Sequence, residues 1–291
     1  MAGDPDFPRA LTAIARPPIG IFVQGACLGS MPPMVAIVGT RAATPRGLAF
    51  ARALASDLAR AGVAVVSGLA RGIDTAAHRG ALEADGTTVA VLGSGVVRPY
   101  PPENVGLARE IAARGAVVSE FAPTQEARPA TFPQRNRIVS GLSAGVVVVE
   151  AGARSGALIT AARALEQGRE VFAVPGPVDE DQSRGPNGLI KRGAKLVESV
   201  EDVLEELAPA WGPFAAQEPC ASGDGAAPAV PRGELEAGVV QALSTTPLSA
   251  DAIASRLREP IERVLSCLLA LELEGAARAV PGGLYVRGRR A

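Results

Sequence analysis

Between Met34 and Leu207 short runs of β-branched residues alternate with helical patterns, and each run ends in glycine or a small polar residue. This alternation constrains the fold more than any other feature of the chain. A run such as "GVVVVEA" at 145–151 has no polar alternate, so it reads as a strand covered on both faces. Strands are expected at Met34–Val38, 63–68, 87–95, 116–121, 145–151 and 170–176, with a last short one in "AKLV". The intervening segments carry helix signals. Pro45 suits a first helical turn, and Gly62 stands where that helix must stop. Further helices are expected around 103–113 and 156–167, and an acidic one, "SVEDVLEEL", ends at Leu207. Strand–helix alternation of this kind predicts an α/β fold with a doubly wound, mostly parallel, Rossmann-like sheet. In such sheets ligands bind beyond the carboxyl ends of the strands.

The flanks read differently. Residues 1–33 are Pro-rich and weakly patterned and form a lead-in; residues 34–207 form the Rossmann-like domain. Residues 208–232, rich in Ala, Pro and Gly, read as a linker. Over 233–288 three helical stretches precede a hairpin turning at Pro281-Gly282-Gly283, which predicts a small winged helix-turn-helix domain. From 233 to 291 there are seven Arg and seven acidic residues, whereas a DNA-reading domain is usually basic. A protein-contact or structural role suits that balance as well.

The catalytic vocabulary is thin. A single histidine, His78, lies inside a helical pattern, so a Ser-His-Asp site is poorly supported and a His-based metal site cannot be built. Cys27, Cys220 and Cys267 form no CxxC pair. No apolar run approaches the 18 or so residues of a membrane span, and no signal peptide opens the chain, so a cytoplasmic setting is expected. No catalytic residue, metal or cofactor is assigned.

The anion-binding vocabulary is rich. After the first strand, Gly39-Thr40-Arg41 offers backbone N–H groups, a helix N-terminus and a guanidinium. The second strand leads into "SGLARGID", where Ser67, Gly68, Arg71, Gly72 and Asp74 share a rim; Asp74 can cap the next helix or accept a ligand hydrogen bond. Gly93-x-Gly95 lacks the third glycine of a dinucleotide fingerprint, since Arg98 stands there, but suits an anion. In "FPQRNRIVSGLS" at 132–143, Arg135, Asn136 and Arg137 crowd the start of a helix, where the macrodipole disfavours cations. Either an external anion or an acidic partner such as Glu150 would relieve them. Ser155-Gly156 opens the following helix and adds further donors.

Together these loops resemble one family. "VAIVGTRAATPRG", "VVSGLARGIDTAAH", "TVAVLGSGVVRPYPPEN", "FPQRNRIVSGLS", "VVVVEAGARSGALITAARALEQGREVFAVPG" and "GPNGLIKRGAKLV" occur in the order seen in DprA, DNA-processing protein A, also called Smf. The resemblance spans about residues 7–207, and the tail is similar to the winged-helix domain of many members. It implies a single-stranded DNA-binding recombination mediator, not known as an enzyme, that protects incoming DNA and loads the recombinase RecA during natural transformation. It implies a homodimer paired through the Rossmann-like domains. Carried onto this sequence, the DNA pocket takes in Arg41, the stretch Arg135–Arg137, and Lys191 and Arg192. Many members carry a sterile-alpha-motif-like helical domain ahead of the sheet; about thirty residues precede the first strand here, too few for it.

Local charge fits this reading: residues 128–195 hold ten basic and six acidic side chains, although the whole chain has net charge −1. With aromatic residues at 3%, stacking platforms are scarce. The rival is an enzyme, a nucleotide or phosphoribosyl hydrolase of the lysine-decarboxylase-like type. Its Pro-Gly-Gly-x-Gly-Thr loop is absent, the corresponding place reading "VPGPVDEDQ". A third reading is a scaffold with a vestigial pocket, against which Arg41, Arg135 and Arg137 argue.

Overall fold

The computed structural model describes residues 7–211 and, beyond them, 239, 242–243, 248–257, 261, 264, 267–268, 271, 277–280 and 284–287. The chain divides into two compact units, Met1–Cys220 and Ala221–Ala291.

The first unit is built on an eight-stranded sheet in the order β1-β5-β4-β3-β2-β6-β7-β8. The strands are β1 Phe22–Gly25, β2 Met34–Val38, β3 Ala64–Ser67, β4 Thr88–Val91, β5 Ala116–Ser119, β6 Gly145–Val148, β7 Glu170–Ala173 and β8 Lys195–Leu196. All neighbours pair in parallel except β1, which runs antiparallel to β5. The expected doubly wound, mostly parallel sheet is thus present. Consecutive strands step one way from β2 to β5 and the other way from β6 to β8, so the winding reverses between β2 and β6. There the register runs from Val35 opposite Gly145 to Val38 opposite Val148.

Burial follows the pleat. Val35, Ile37, Val65, Val147 and Phe172 point to one face, Ala36, Val38, Val66, Val146 and Val148 to the other, and each set joins its own core. Helix α2, Pro45–Arg60, shows how sequence sets the covering layer. Thr44 caps it, its Oγ1 accepting from the Gly47 N–H at 3.0 Å, and Pro45 sits in the first turn. Ala51, Leu54, Ala55 and Leu58 recur at helical spacing and are buried. The chain leaves through Gly62 at φ +77°, the left-handed exit expected from its place.

The lead-in is not the separate segment its weak pattern suggested. It contributes β1 to the sheet edge and helix α1, Arg9–Thr12, and it buries Phe7, Leu11 and Ile14 in the core. All four residues of β1 are exposed, so no apolar run announced it. At the other end, helix α8, Val200–Trp211, continues past Leu207 into the stretch read as linker; residues 212–232 lie outside the described ones.

In the second unit, helix α9, Ala250–Leu257, and strands β9 Leu248–Ser249, β10 Ala277–Val280 and β11 Leu284–Arg287 are described. The three strands form an antiparallel sheet, β10-β11-β9, and Val239, Leu243, Ile253, Val264, Leu268 and Leu271 share a core. This is the expected hairpin with a third short strand added. The first expected helix and the Pro281-Gly282-Gly283 turn fall largely outside the described residues.

His78 sits in helix α3, Ile73–Glu83, fully buried against β4. Its Nδ1 is 2.8 Å from Thr88 Oγ1, whose own proton goes to the Val65 carbonyl at 2.7 Å. Nδ1 is therefore the donor, and Nε2 has no partner among the described residues. Burial first, then the Arg135 charge, pulls the imidazole pKa down from 6.5 to about 3. The unfolded chain binds a proton at His78 below pH 6.5, while the folded chain does not until about 3. Stability present above pH 6.5 is therefore lost as pH falls, by about 2 kcal/mol between pH 7 and pH 5. Denaturant titrations at the two pH values should show this loss, and His78→Gln should remove it; equal pH dependence in both proteins would refute the assignment.

Candidate functional site

Helix α4 (Val105–Arg114) packs on β4 and β5, whereas helix α3 (73–83), helix α5 (Thr131–Leu142) and helix α6 (Gly156–Glu166) begin beside the carboxyl ends of β2, β3 and β6. They frame a crevice of 760 Å³ at the point where the winding reverses. Its lining includes Gly39, Thr40, Arg41, Gly68, Asp74, Phe132, Arg135, Asn136, Arg154, Ser155 and Gly156.

The floor holds a buried guanidinium and a buried carboxylate. Arg135 is 5% exposed and donates from Nη1 to the Val91 carbonyl. Beside it, the buried Asp74 carboxylate accepts from the N–H of Gly68 at 3.1 Å and of Ala70 at 3.3 Å. Burial lowers the Arg135 pKa to about 10; Asp74 opposes that shift and Arg41 adds to it. Burial likewise pushes the Asp74 carboxyl above its ordinary value, against the pull of Arg135 and the two N–H donors. Gly68 makes room for this arrangement, because a Cβ there would stand 2.0 Å from Arg135 Nη1.

The mouth is different. Arg41 is exposed and lies over the Phe132 ring, its Cζ 5.0 Å from the centroid. Tyr100 packs against the same ring at 5.8 Å and 56°. Arg154 is exposed and also lines the crevice. Neither Arg41 nor Arg154 makes an ion pair with a described residue. Ser155 caps α6, its Oγ accepting from Ala157 N–H at 3.3 Å, and Asn136 Nδ2 donates to the Gly156 carbonyl at 3.3 Å.

Several expected site residues stand elsewhere. Arg137 turns away from the crevice and pairs with Glu120, at 17% and 25% side-chain exposure. Glu150 is the partner of neither arginine. It takes the Thr44 N–H at 2.9 Å and the Thr44 hydroxyl at 2.5 Å, securing the start of α2. Ser67 is buried and donates to the Ile37 carbonyl at 2.6 Å. Arg71 pairs with Glu103 on the surface. Gly72 and Gly95 pass close to the carbonyls of Thr40 and Ala122, and Gly93 to the Phe132 ring, and none of the three is in the crevice lining. Lys191 and Arg192 are exposed at the end of helix α7, Arg184–Ile190, outside the crevice lining. Phe132, Arg154, Gln182 and Arg184 line the crevice without having been singled out. Phe132 opens the Arg-Asn-Arg stretch, and Arg154 precedes Ser155-Gly156, so adjacency was the available signal. Among the described residues no group of three or more His, Cys, Asp or Glu could hold a metal ion, and no helix is long and apolar enough to cross a membrane.

Comparison with known proteins identifies the family. Residues 1–208 match the family DNA recombination-mediator protein A, and residues 224–283 match the DprA winged helix domain. Protein Smf of Escherichia coli (strain K12) is 45% identical over 288 residues, which are 98% of this chain and 76% of that protein. DNA processing protein DprA of Bacillus subtilis (strain 168) is 44% identical over 202 residues, 69% of this chain and 68% of that one. The X-ray structure of DprA from Streptococcus pneumoniae superposes with a TM-score of 0.67 at 44% identity, covering 70% of this chain and 71% of that chain. A structure of DprA from Helicobacter pylori, described for its single-stranded DNA binding mode, gives 0.64 at 30% identity, covering 70% and 94%. The chain belongs to the DNA recombination-mediator protein A family, with a DprA winged helix domain after its Rossmann-like sheet.

Proposed function

We propose that the crevice holds the phosphate backbone of single-stranded DNA, without reading its sequence. One observation carries the proposal: Arg41 and Arg154 both line the crevice, are exposed, and make no ion pair among the described residues. The N-terminus of α6 adds amide donors, and together these groups contact phosphate regardless of base. Phe132 supports the preference for a single strand, because an unpaired base can stack on a ring that a duplex leaves unused. Arg135 then acts from the floor as a fixed positive charge, and Arg41 and Arg154 make the contacts.

Fluorescence anisotropy with a labelled oligothymidylate across a salt series tests this. Affinity should fall steeply with salt, and duplex of equal length should bind more weakly. Arg41→Ala should weaken single-strand binding about tenfold and make the log–log salt slope shallower by about 0.7. Undiminished binding by Arg41→Ala would sink the site. The family resemblance extends the proposal to loading of RecA on the bound strand during natural transformation, by a homodimer paired through the Rossmann-like domains. Strand-exchange assays with RecA and analytical ultracentrifugation would check those two parts separately.

A further inference from the structure

The crevice is not closed where α6 begins. Arg154 and Ile159 line both it and a shallow recess along the outer side of α6. Arg163 and Glu166 line that recess and also a second cavity, of 490 Å³, behind α5. Pro133 borders both the crevice and the second cavity, so only the start of α5 separates them. Three depressions therefore form one track around the start of α5 and along α6. From Arg154 to Arg163 it follows α6 for about 14 Å.

The second cavity is short of negative charge. Arg16, Arg137 and Arg163 line it against Glu120 and Glu166, leaving one positive charge uncompensated. Arg137 is paired with Glu120, and Arg163 bonds to Glu166 at 2.6 Å. Arg16 makes no ion pair with any described residue. At the floor the chain's own groups also leave polar atoms unmatched. Gln167 donates from Nε2 to the Arg137 carbonyl at 3.0 Å, while Gln167 Oε1 and Arg137 Nη1 are buried without a partner among the described residues. A surplus of one charge matches a phosphodiester monoanion better than a dianionic phosphate monoester.

Resting on the reading of the crevice as a single-strand site, we propose that the strand leaves it across α6 and sets a downstream phosphodiester in the Arg16–Arg137–Arg163 cavity. The binding track is thus longer than the crevice, and its far end lies on residues that none of the strand-end loops supplies. Ile159, 40% exposed between the two ends, offers an apolar surface to a base in passing.

The test uses the full chain and oligothymidylates of about 6 and about 20 nucleotides, lengths below and above one short binding site. Arg16→Ala combined with Arg163→Ala should leave the short oligomer bound as tightly as by the native protein. The same variant should bind the long oligomer about tenfold more weakly, with a salt slope shallower by about 0.7. Arg41→Ala should weaken both lengths. Unchanged affinity for the long oligomer would overturn the track while leaving the crevice in place. Equal losses at both lengths would overturn it too, since the substitutions would then be acting through the crevice. Two short oligomers bound per native chain, one of them lost in the variant, would make the cavity a separate site and refute a continuous path. If the native protein bound neither length, the crevice reading would fail and the track with it.

Discussion

Asp74→Ala is expected to lower the stability of the α/β unit by about 3–5 kcal/mol, since two buried N–H groups lose their acceptor and Arg135 loses the negative charge that acts on it. Two losses coincide. Arg135, 5% exposed, keeps a charge that the remaining contact, the Val91 carbonyl, does not neutralise. The N–H groups of Gly68 and Ala70 lose the acceptor that Asp74 gives them at 3.1 and 3.3 Å. In a unit of this size a melting temperature lower by about 10 °C or more should result. Asp74→Asn keeps an acceptor in place and loses only the charge, so it should fall between native and alanine variants. Asp74→Ala combined with Arg135→Met should recover the part of the loss that comes from the unbalanced guanidinium and leave the part that comes from the two N–H groups. An alanine variant within about 1 kcal/mol of native stability in urea titration would show that the carboxylate does not hold the guanidinium.

That cluster marks where the sequence was legible and where it was not. The parallel strands were readable because each is covered on both faces and so appears as an unbroken apolar run, Met34–Val38 being the clearest case. Strand β1 was not readable, because "FVQG" lies exposed at the sheet edge and has no burial pattern to impose on its residues. The expected third strand ran on to Gly95, but its last paired residue is Val91 opposite Val118; Leu92 N–H still donates to the Val118 carbonyl at 2.8 Å, and its side chain is apolar because it joins a core with Leu69, Leu107 and Ile111. At the site, residue type was legible and role was not. Arg135 and Arg137 look equivalent in sequence. On a helix, residues two apart face nearly opposite ways, so one guanidinium enters the crevice floor and the other turns to Glu120. The acidic partners were the part sequence could not assign. Glu150, next to the site in the chain, holds Thr44 at the start of α2, whereas Asp74 comes from the first turn of α3 and Glu120 from the end of β5, which only the tertiary fold brings near.

Gly68→Ala is the sharpest test of how the floor is packed, with an expected cost of about 3 kcal/mol. The backbone at Gly68 lies outside the left-handed region, so an alanine meets no strain from its own dihedrals. The whole cost comes from contact: the new methyl would stand 2.0 Å from Arg135 Nη1, 2.5 Å from Nη2 and 2.6 Å from Cζ. A guanidinium can swing aside, but this one is enclosed and would have to give up the Val91 carbonyl and its place beside Asp74. Displaced, it would also intrude on the crevice that it lines, so single-strand affinity should fall along with stability. A double-mutant cycle separates this account from a general intolerance at position 68. In an Arg135→Ala background the space is already vacant, and Gly68→Ala should then cost less than about 1 kcal/mol, a coupling of about 2 kcal/mol between the two positions. Additive costs in the cycle would mean that the glycine is required for some other reason, and that the buried arginine does not owe its position to it.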